Sequence, residues 1–525
     1  MAKQDLFAGI EFLKAGGEEL LAQFARSHRG VLYADLRFEA VFRRSAAATN
    51  GEPRHGGESE TAGFGVSVHA ERSGAIGHGY CGAEVGRVAL ERRKLTTAIR
   101  AALNRAFERA RLNAREKSAA LKHLGAAAHT LANGGLAPRP PIREEVAAVF
   151  RHDPRSLSPD APKQLTLDAS MAVRGLGREI AFNTVAAMSE LRQEIFVSTE
   201  GSLIAQGFAF SEGDCYVVAQ AGSGGHQEIF DTIGQQRGFE ALAEGYRDEL
   251  LPSPDLRTFA LQLANEAREL AGAPVLKPPD REVTVVTDPH FNALLAHEVV
   301  GHPSEADRAL KMEAAYAGRS WFLRTIDDTE IGRIVGSPLV SACSDPTLYG
   351  YGHYRFDHEG TPGRRVMHID RGVFSGFINS RATAAALGVE PNGSARASEV
   401  YYVPLIRMSN TFFMPGETAP EKIIGEVEHG YYVVAHAIPS IAESRENFRI
   451  SARRVYEIEN GRIGRLYRSG SVIAESKRFF MNVDAVGNDL RLIAIPNCGK
   501  GQPMQVKRMS NGGPTMRSRA MLGGG

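Results

Sequence analysis

Cysteine is scarce in this chain and is not arranged in pairs. The 525 residues contain four cysteines, none of them in a Cys-x-x-Cys spacing: Cys81, Cys215, Cys343 and Cys498. A disulfide scaffold is therefore not expected, and the cytosol is the expected compartment. No stretch of about 18 residues is apolar enough to predict a transmembrane helix. The amino terminus lacks a basic segment followed by an apolar core, so no secretory signal is expected.

An excess of charge of either sign is also lacking. The formal net charge is +1, from 62 basic and 61 acidic residues, which gives no electrostatic reason to expect nucleic acid or a membrane as partner. The hydrophobic fraction of 43% and the charged fraction of 23% are typical of a soluble globular protein. A chain of this length exceeds what one hydrophobic core usually supports, so two or three domains are expected.

Two stretches rich in small residues or proline divide the sequence into three regions. Residues 125–142 are rich in Ala, Gly and Pro, and residues 273–281 include a Pro-Pro pair; both predict linkers. We therefore expect an N-terminal α/β region at 1–124, a second α/β region of the N-terminal half at 143–272, and a C-terminal β-rich domain at 281–525. The predicted fold class is α+β, with the N-terminal α/β domain packed against an antiparallel, barrel-like C-terminal domain.

Local patterns give further expectations about secondary structure. Residues 45–62 are polar and Gly-rich, which predicts a loop, whereas residues 229–249 and 256–272 carry the composition and spacing of helices. Asn460-Gly461 lies between two alternating apolar and polar runs, which is a strong signal for a β-hairpin.

The motif that carries chemistry is His297-Glu298-Val299-Val300-Gly301-His302. Asp288-Pro289 predicts the start of a helix that runs to about Gly301. Two histidines five residues apart would lie about 140° apart on an ideal α-helix, too far to share one metal ion. We therefore predict that the helix ends or distorts between His297 and His302.

Two residues supply the means for that distortion. Gly301 tolerates a non-helical backbone, and Pro303 cannot continue a helix. A helix that ends at this point lets His302 swing back towards His297. Without that change, the two histidines read as a helix-end pair that holds no metal, which is the competing interpretation.

Glu298 follows the first histidine and is placed to act as a general base. Zinc lowers the pKa of a coordinated water to about 7, and a neighbouring carboxylate can accept its proton. A catalytic zinc usually takes three protein ligands, so a third must come from elsewhere in the chain. The residue chemistry alone leaves several candidates open: Glu305, Asp307, His353, His358, His436 and Cys498.

Several separate motifs in one order resemble the TldD/PmbA family of metallopeptidases, specifically its TldD-like, catalytic side. They are His297–His302, the run Asp-His-Glu-Gly-Thr-Pro-Gly at 357–363, Pro-Leu-Ile-Arg-Met-Ser-Asn-Thr at 404–411, Val-Gly-Asn-Asp-Leu at 486–490 and Cys-Gly-Lys-Gly-Gln at 498–502. The resemblance covers most of the chain and is dense from about 281 to 505. Residues 436–444 depart from it, because many relatives have a Gly-rich stretch there.

The resemblance implies a zinc peptidase, with iron as the alternative metal. It assigns His297, His302 and Cys498 as the metal ligands and Glu298 as the catalytic residue. The implied reaction is the hydrolysis of unfolded or extended peptides by metal-activated water. Whether the cut is internal or terminal stays open.

The resemblance also implies a partner. Such proteins pair with a PmbA/TldE-like subunit, so we expect either that heterodimer or a homodimer, acting on a peptide or an unfolded protein. Two other functions compete with a peptidase: a non-catalytic subunit that binds peptide or stabilises a partner, and a metal hydrolase for a non-peptide amide.

Four further polar residues are candidates for substrate binding. Arg407 and Asn410 lie in a predicted strand and could hold a peptide carboxylate or main chain, although a plain sheet contact is an equal alternative. His358 and Glu359 could bind substrate or orient the ligand histidines; the alternative is a turn whose side chains are all satisfied.

Overall fold

The computed structural model describes residues 6–86, 91–124, 135–222, 224–313, 315, 318–325 and 328–524. Most of the predicted linker at 125–142 falls outside these residues, so that part of the prediction is untested. Within the described residues, no helix is long and apolar enough to cross a membrane.

The N-terminal half is one seven-stranded sheet covered by helices. Its strands are β1 (Val31–Thr49), β2 (Glu52–Arg72), β3 (Ala75–Val85), β4 (Arg143–Val146), β5 (Ile180–Ser198), β6 (Leu203–Gln220) and β7 (His226–Gln235). Its helices are α1 (Ala8–Ser27), α2 (Arg92–Leu121), α3 (Ala161–Arg174), α4 (Glu240–Glu244) and α5 (Leu256–Gly272). The strand order is β3-β2-β1-β5-β6, with β4 and β7 both paired to β6. Strands from the first two predicted regions thus share a single sheet.

The predicted loop at 45–62 is wrong. These residues are the outer ends of β1 and β2, which pair continuously from Thr49 and Glu52 back to the core. The turn between them is Asn50-Gly51, with φ of 52° and 75°, values that Asn and Gly adopt readily in a two-residue hairpin. The segment looked like a loop because β2 is exposed along this stretch and carries polar residues and glycine in place of an apolar alternation.

The helix predicted near 229–249 is also wrong. Residues 226–235 form β7, and only the short α4 follows. Pairing with β6 along its whole length outweighs the weak helical composition of this segment, as tertiary context often does. The helix predicted at 256–272 is present as α5, and Asp255 caps it by accepting a hydrogen bond from the main-chain N–H of Thr258 at 2.9 Å.

The described part of the C-terminal half is rich in strands, with five short α-helices. The strands are β8 (Val283–Thr287), β9 (Leu323–Thr325), β10 (Asp328–Thr329), β11 (Ala342–Ser344), β12 (Val366–Asp370), β13 (Val373–Phe374), β14 (Ala395–Arg396), β15 (Leu405–Ile406), β16 (Asn410–Phe413), β17 (His429–Ile441), β18 (Asn447–Glu459), β19 (Arg462–Tyr467), β20 (Gly470–Glu475), β21 (Ala485–Val486), β22 (Arg491–Lys500), β23 (Gln505–Gly513) and β24 (Met516–Gly524). The α-helices are α6 (Pro289–Leu295), α7 (Ala306–Ala309), α8 (Arg381–Leu387), α9 (Pro420–Gly425) and α10 (Ser476–Met481).

Five strands of this half close into a small barrel. The pairing runs β17-β8-β24-β20-β18 and returns from β18 to β17. Most pairs are antiparallel, while β8 runs parallel to β17. The predicted hairpin at Asn460-Gly461 joins β18 to β19. The predicted α+β class with a barrel-like C-terminal domain is confirmed.

A second sheet lies beside the barrel and contains Cys498. Its order is β13-β12-β11-β16-β23-β22, so β22 is its last strand among the described residues. The largest hydrophobic core joins this sheet to the barrel, with Phe291, Leu295, Val299 and Cys498 among its buried members. The helix that starts at Pro289 is therefore packed between two sheets, which fixes its position.

Candidate metal centre

The His-Glu motif lies on a helix that changes its winding. The α-helix α6 ends at Leu295 and continues as a π-helix from Ala296 to Gly301, followed by one 3-10 turn at His302–Ser304. The main-chain N–H of His302 donates to the carbonyl of His297, which is the five-residue hydrogen bond that defines a π-helix. The two imidazole rings thus share one face, with their centroids 4.7 Å apart.

The structure shows where and how the helix changes its winding between the two histidines. The helix was expected to end or distort between His297 and His302, by ending at Gly301 and Pro303. It does distort, but the change in winding begins earlier than expected, at Ala296. Gly301 keeps a helical backbone, with φ of −63°. A Cβ at this position would lie 1.9 Å from the sulfur of Met408. Glycine is therefore needed for close packing against Met408 and not for unusual dihedral angles.

Cys498 completes a compact cluster with the two histidines. It lies on β22, and its Sγ is 3.5 Å from Nε2 of His302. The candidate ligand atoms of His297, His302 and Cys498 all lie within 4.8 Å of one another, and the three residues are buried. The thiol is 196 positions from His302 in sequence, so only the fold brings them together.

The donor set fits a tetrahedral zinc ion. A zinc–sulfur bond of about 2.3 Å and a zinc–nitrogen bond of about 2.0 Å, at a tetrahedral angle, separate the two ligand atoms by about 3.5 Å, which matches the 3.5 Å from Sγ to Nε2 of His302. Nδ1 of His297 lies 2.9 Å from Oδ1 of Asn511, and Nδ1 of His302 lies 3.1 Å from Oε2 of Glu305. Imidazoles that donate from Nδ1 present the Nε2 lone pair to a metal.

Charge in the cluster favours the ligand form of the cysteine. Burial alone would raise the pKa of the Cys498 thiol, but His297 and His302 outweigh it and hold that pKa well below its usual range. Burial would likewise lower the pKa of His297, yet the neighbouring thiolate of Cys498 raises it to about 9. The site therefore stabilises a thiolate, which is the form that binds metals.

A buried ion network supports Glu305. The carboxylate accepts hydrogen bonds from Nε of Arg308 at 2.7 Å and from Nζ of Lys500 at 3.1 Å. Lys500 is fully buried and also donates to Asp307, at 2.7 and 2.8 Å. Burial raises the pKa of Glu305, but Lys500, His302 and Arg308 outweigh it and hold that pKa well below its usual range. Glu305 thus stays ionised, able to orient His302.

Glu298 is the one residue of the motif whose side chain is partly open to solvent. Its side chain is 17% exposed, and Oε2 lies 3.8 Å from Nε of Arg445, whose side chain is 4% exposed. Arg445 belongs to the segment between β17 and β18 and has a left-handed backbone, with φ of 64°. A partly accessible carboxylate beside a buried guanidinium is suited to proton transfer with a molecule that enters from outside.

The other candidates for the third ligand are engaged in other contacts. Glu305 contacts His302 through a hydrogen bond at the far nitrogen, and Asp307 is paired with Lys500. His353 shares a hydrogen bond with the carbonyl of Pro346, and the ring of His436 lies against that of His290.

Arg407 and Asn410 are fully buried. Arg407 donates to the carbonyls of Cys498 and Gln505, and it therefore holds the strand beside the cluster. Asn410 donates to the carbonyls of Asp345 and Leu348, at 3.0 and 2.7 Å. Both side chains are thus engaged with main-chain carbonyls inside the protein.

His358 and Glu359 do not contact the ligand histidines. Nε2 of His358 lies 3.1 Å from Glu194 of β5, which joins the two halves of the chain. Glu359 accepts a hydrogen bond from the main-chain N–H of Arg381 at 2.7 Å, and burial raises its pKa to about 7. The Nδ1 atoms of the two candidate ligand histidines instead lie against Asn511 and Glu305. The sequence had indicated Glu305 only as a candidate metal ligand, and it gave no indication of Asn511.

Comparisons with known proteins found a family model and relatives that are named metalloproteases. Residues 280–525 match the family model described as the PmbA/TldA metallopeptidase C-terminal domain. A metalloprotease of Methanothermobacter thermautotrophicus is 31% identical over 378 residues, which are 71% of this chain and 76% of that protein. A zinc metalloprotease TldD homolog of Saccharolobus solfataricus is 30% identical over 251 residues, 47% of this chain and 53% of that protein.

A solved structure shares the whole fold. TldE from Thermococcus kodakarensis aligns with a TM-score of 0.68 at 16% sequence identity, covering 98% of this chain and 100% of that one. Together with a buried His-His-Cys cluster, the fold and the relatives define a protein of the metallopeptidase class. The chain belongs to the PmbA/TldD family, as the order of its motifs predicted.

Proposed function

We propose that this protein is a zinc-dependent peptidase whose metal is held by His297, His302 and Cys498, with iron as the alternative metal. The observation that carries the proposal is the convergence of three buried ligand atoms within 4.8 Å of one another. The name of the Saccharolobus relative, a zinc metalloprotease, supports zinc over other metals. One sulfur and two nitrogen ligands also suit zinc, and three protein ligands leave a fourth position for substrate.

Each residue of the site has a proposed task. When bound, the metal would act as a Lewis acid towards the peptide carbonyl and activate water. Glu298 accepts the proton of the attacking water, since its carboxylate is the accessible one beside the cluster. Arg445 holds that carboxylate in place. Asn511 and Glu305 fix the two imidazoles, and Arg407 fixes the main chain at Cys498.

The proposed substrate is an unfolded or extended peptide. β22 is the last strand of its sheet among the described residues and leads directly to Cys498. A cavity of about 520 Å³ lies along this strand at Ile493, Ile495 and Asn497, and β7 forms part of its opposite wall. A peptide that adds to β22 as a further strand would run towards the metal cluster.

The proposed partner is a PmbA/TldE-like subunit, with a second copy of this chain as the alternative. The likeness to TldE from Thermococcus kodakarensis supports a family in which both kinds of subunit have one fold. Two similar folds can form a closed, nearly two-fold pair in which the site is shielded from folded proteins.

The test combines metal analysis with cleavage of an unfolded protein such as reduced casein. The wild type is expected to hold one zinc per chain and to cleave, while Glu298→Ala keeps the zinc and loses cleavage, by a factor of at least about 100. Full activity of Glu298→Ala would overturn the assigned base. Retained zinc without cleavage by the wild type, alone or with a co-purified partner, would instead indicate a non-catalytic, peptide-binding subunit.

A further inference from the structure

A second cavity lies between the two halves of the chain, separate from the groove along β22. Its volume is about 190 Å³, the size of one side chain rather than of a whole peptide. Aromatic residues form much of its wall: Phe208, Phe210, Tyr351, Tyr354 and Phe356. Such walls exclude water, so charged groups inside the cavity interact strongly with one another and with a bound ligand.

Two cations face this cavity without a carboxylate partner. Nζ of Lys507 donates to the carbonyl of Ala397 at 2.7 Å, and an Nη of Arg396 donates to the carbonyl of Met408. Arg396 is 5% exposed, and its Nε has no hydrogen-bond partner. Within the part of the chain that the structure describes, neither cation has an acidic oxygen within 4.0 Å.

The other charged groups of the cavity are already engaged. Arg508 is paired with the buried Glu190, and Arg192 is paired with Glu190 and Glu39. Arg43 is also paired with Glu190. Glu194 accepts from His358 at 3.1 Å and interacts with Lys507 and Arg396 at longer range. Glu399 accepts from the hydroxyl of Ser398.

This contrast shows what is missing from the cavity. A buried charge without a counter-charge is strongly unfavourable, and most buried polar groups in proteins have a partner. Arg396 and Lys507 are therefore poised for a directly bonded anion, which no described residue provides within 4.0 Å; Glu194 of the same cavity interacts with both cations only at longer range. A carboxylate fits best, because it accepts from a guanidinium fork and from an ammonium at once and is small enough for 190 Å³.

The cavity and the metal cluster share one pair of strands. Lys507 of β23 pairs directly with Cys498 of β22, and the Cβ atoms of such opposed residues are about 5 Å apart. Pro496 of β22 lines both the cavity and the groove proposed for peptide. A peptide that follows β22 towards the metal therefore passes the mouth of this cavity.

We propose that the cavity is a specificity site that binds a carboxylate of the peptide substrate through Arg396 and Lys507. The carboxylate is either the peptide's own carboxy terminus or the side chain of Asp or Glu. This inference rests on the proposed peptidase function, because it takes an extended peptide as the ligand.

The experiment measures binding of three fluorescein-labelled peptides of equal length by anisotropy. The first has uncharged side chains and a free carboxy terminus. The second is the same peptide with an amidated carboxy terminus, called the neutral amidated peptide. The third is the amidated peptide with a single internal Glu. The protein is the zinc-loaded Glu298→Gln variant, which prevents cleavage during the measurement. We expect at least one of the two carboxylate peptides to bind about tenfold more tightly than the neutral amidated peptide. Whichever of the two binds more tightly shows whether the carboxylate comes from the carboxy terminus or from a side chain.

Adding Lys507→Met to this protein should remove that preference, measured within this variant as the ratio of its affinities for the carboxylate peptide and for the neutral amidated peptide. Lys422→Met, which removes an exposed lysine on α9, serves as the matched control and should keep the preference. Equal binding of the three peptides would overturn the inference, and this comparison needs no Lys507 variant to fold. If the carboxylate preference is present but the wild type cleaves no peptide, the cavity proposal stands and the peptidase proposal fails. If the wild type cleaves peptide but shows no carboxylate preference, the peptidase proposal stands and the cavity proposal fails.

Discussion

The main-chain N–H of His302 donates to the carbonyl of His297, five residues earlier. This bond belongs to a π-helical turn, and such turns are rare and frequently lie at functional sites. It has a direct chemical consequence, since it places two imidazoles five positions apart on one face. A motif of five-residue spacing thereby reaches the arrangement that a four-residue spacing achieves on a plain α-helix.

Gly301→Ala should damage the centre by crowding it. The added methyl group would lie 1.9 Å from the sulfur of Met408, and overpacking of this kind costs about 1–3 kcal/mol. We expect a lower midpoint of unfolding and less bound zinc per chain, measured by thermal denaturation and elemental analysis. Gly272→Ala, at the end of α5 with open space around it, should change neither; an equal loss in both variants would contradict the packing argument.

Asn511→Leu should weaken metal binding without abolishing the fold. Oδ1 of Asn511 lies 2.9 Å from Nδ1 of His297, and loss of a partner that orients a ligand histidine typically reduces metal affinity by about 10–100-fold. Competition with a chromophoric chelator measures the change. Asn511→Asp keeps an acceptor at this position and should retain more of the affinity. Unchanged affinity in the leucine variant would show that His297 is oriented by other groups.

Lys500→Met should destabilise the protein strongly. The ammonium is fully buried against Glu305 and Asp307, and removing one partner of a buried ion pair costs about 3–5 kcal/mol. Urea unfolding of the metal-free protein gives the loss in the free energy of unfolding. Lys94→Met breaks a half-exposed pair with Glu91 and should cost under about 1 kcal/mol. Similar losses in the two variants would refute the role of burial.

Asp231 predicts a dependence of stability on pH. Burial would raise the pKa of its carboxyl, but Arg453 and His290 outweigh it and hold that pKa well below its usual range. Arg453 of β18 lies 2.7 Å from this carboxylate of β7, so the pair joins the two halves. A depressed folded-state pKa stabilises the fold above the unfolded value of about 4, and the benefit is lost as pH falls below it.

The matched variant for that dependence is Asp231→Asn. The difference in the free energy of unfolding between wild type and variant should be constant from pH 7 to about pH 5. It should shrink as the pH falls below about 4, because both proteins then carry a neutral group at this position in the unfolded state. Denaturation series at several pH values measure this, and a difference that grows on acidification would have the wrong sign.

The sequence predicted the α+β fold class and part of the candidate metal site, and each prediction rested on particular residues. The motif His297 to His302 is local, so its composition and spacing are visible in one window. Cys498 was one of six candidates on chemistry alone and was singled out only by the family resemblance. The α+β class followed from helical patterns before residue 273 and alternating strands after residue 350.

What the sequence hid depends on contacts between distant residues. Asn511 is 214 positions from His297, and its one signal is a run of polar and small residues, Ser510 to Gly513, inside a buried strand. The π-helix itself was not predicted, because the spacing of the histidines indicated only the need for a distortion; the close packing of Gly301 against Met408, which is distant in sequence, was not visible either. The hairpin at 45–62 was missed because its outer strand is exposed and lacks an apolar face.

The separation of Cys498 from the two histidines also governs when the protein can become active. The thiol of Cys498 and the amide of Asn511 both lie on the hairpin formed by β22 and β23. They are 196 and 214 positions after the histidines that they contact. During synthesis, the helix can form long before that hairpin has left the ribosome. The growing chain therefore cannot bring His297, His302 and Cys498 together until its sheet is nearly finished. Under the proposed function, this order would keep the peptidase inert while its own unfolded segments are still exposed.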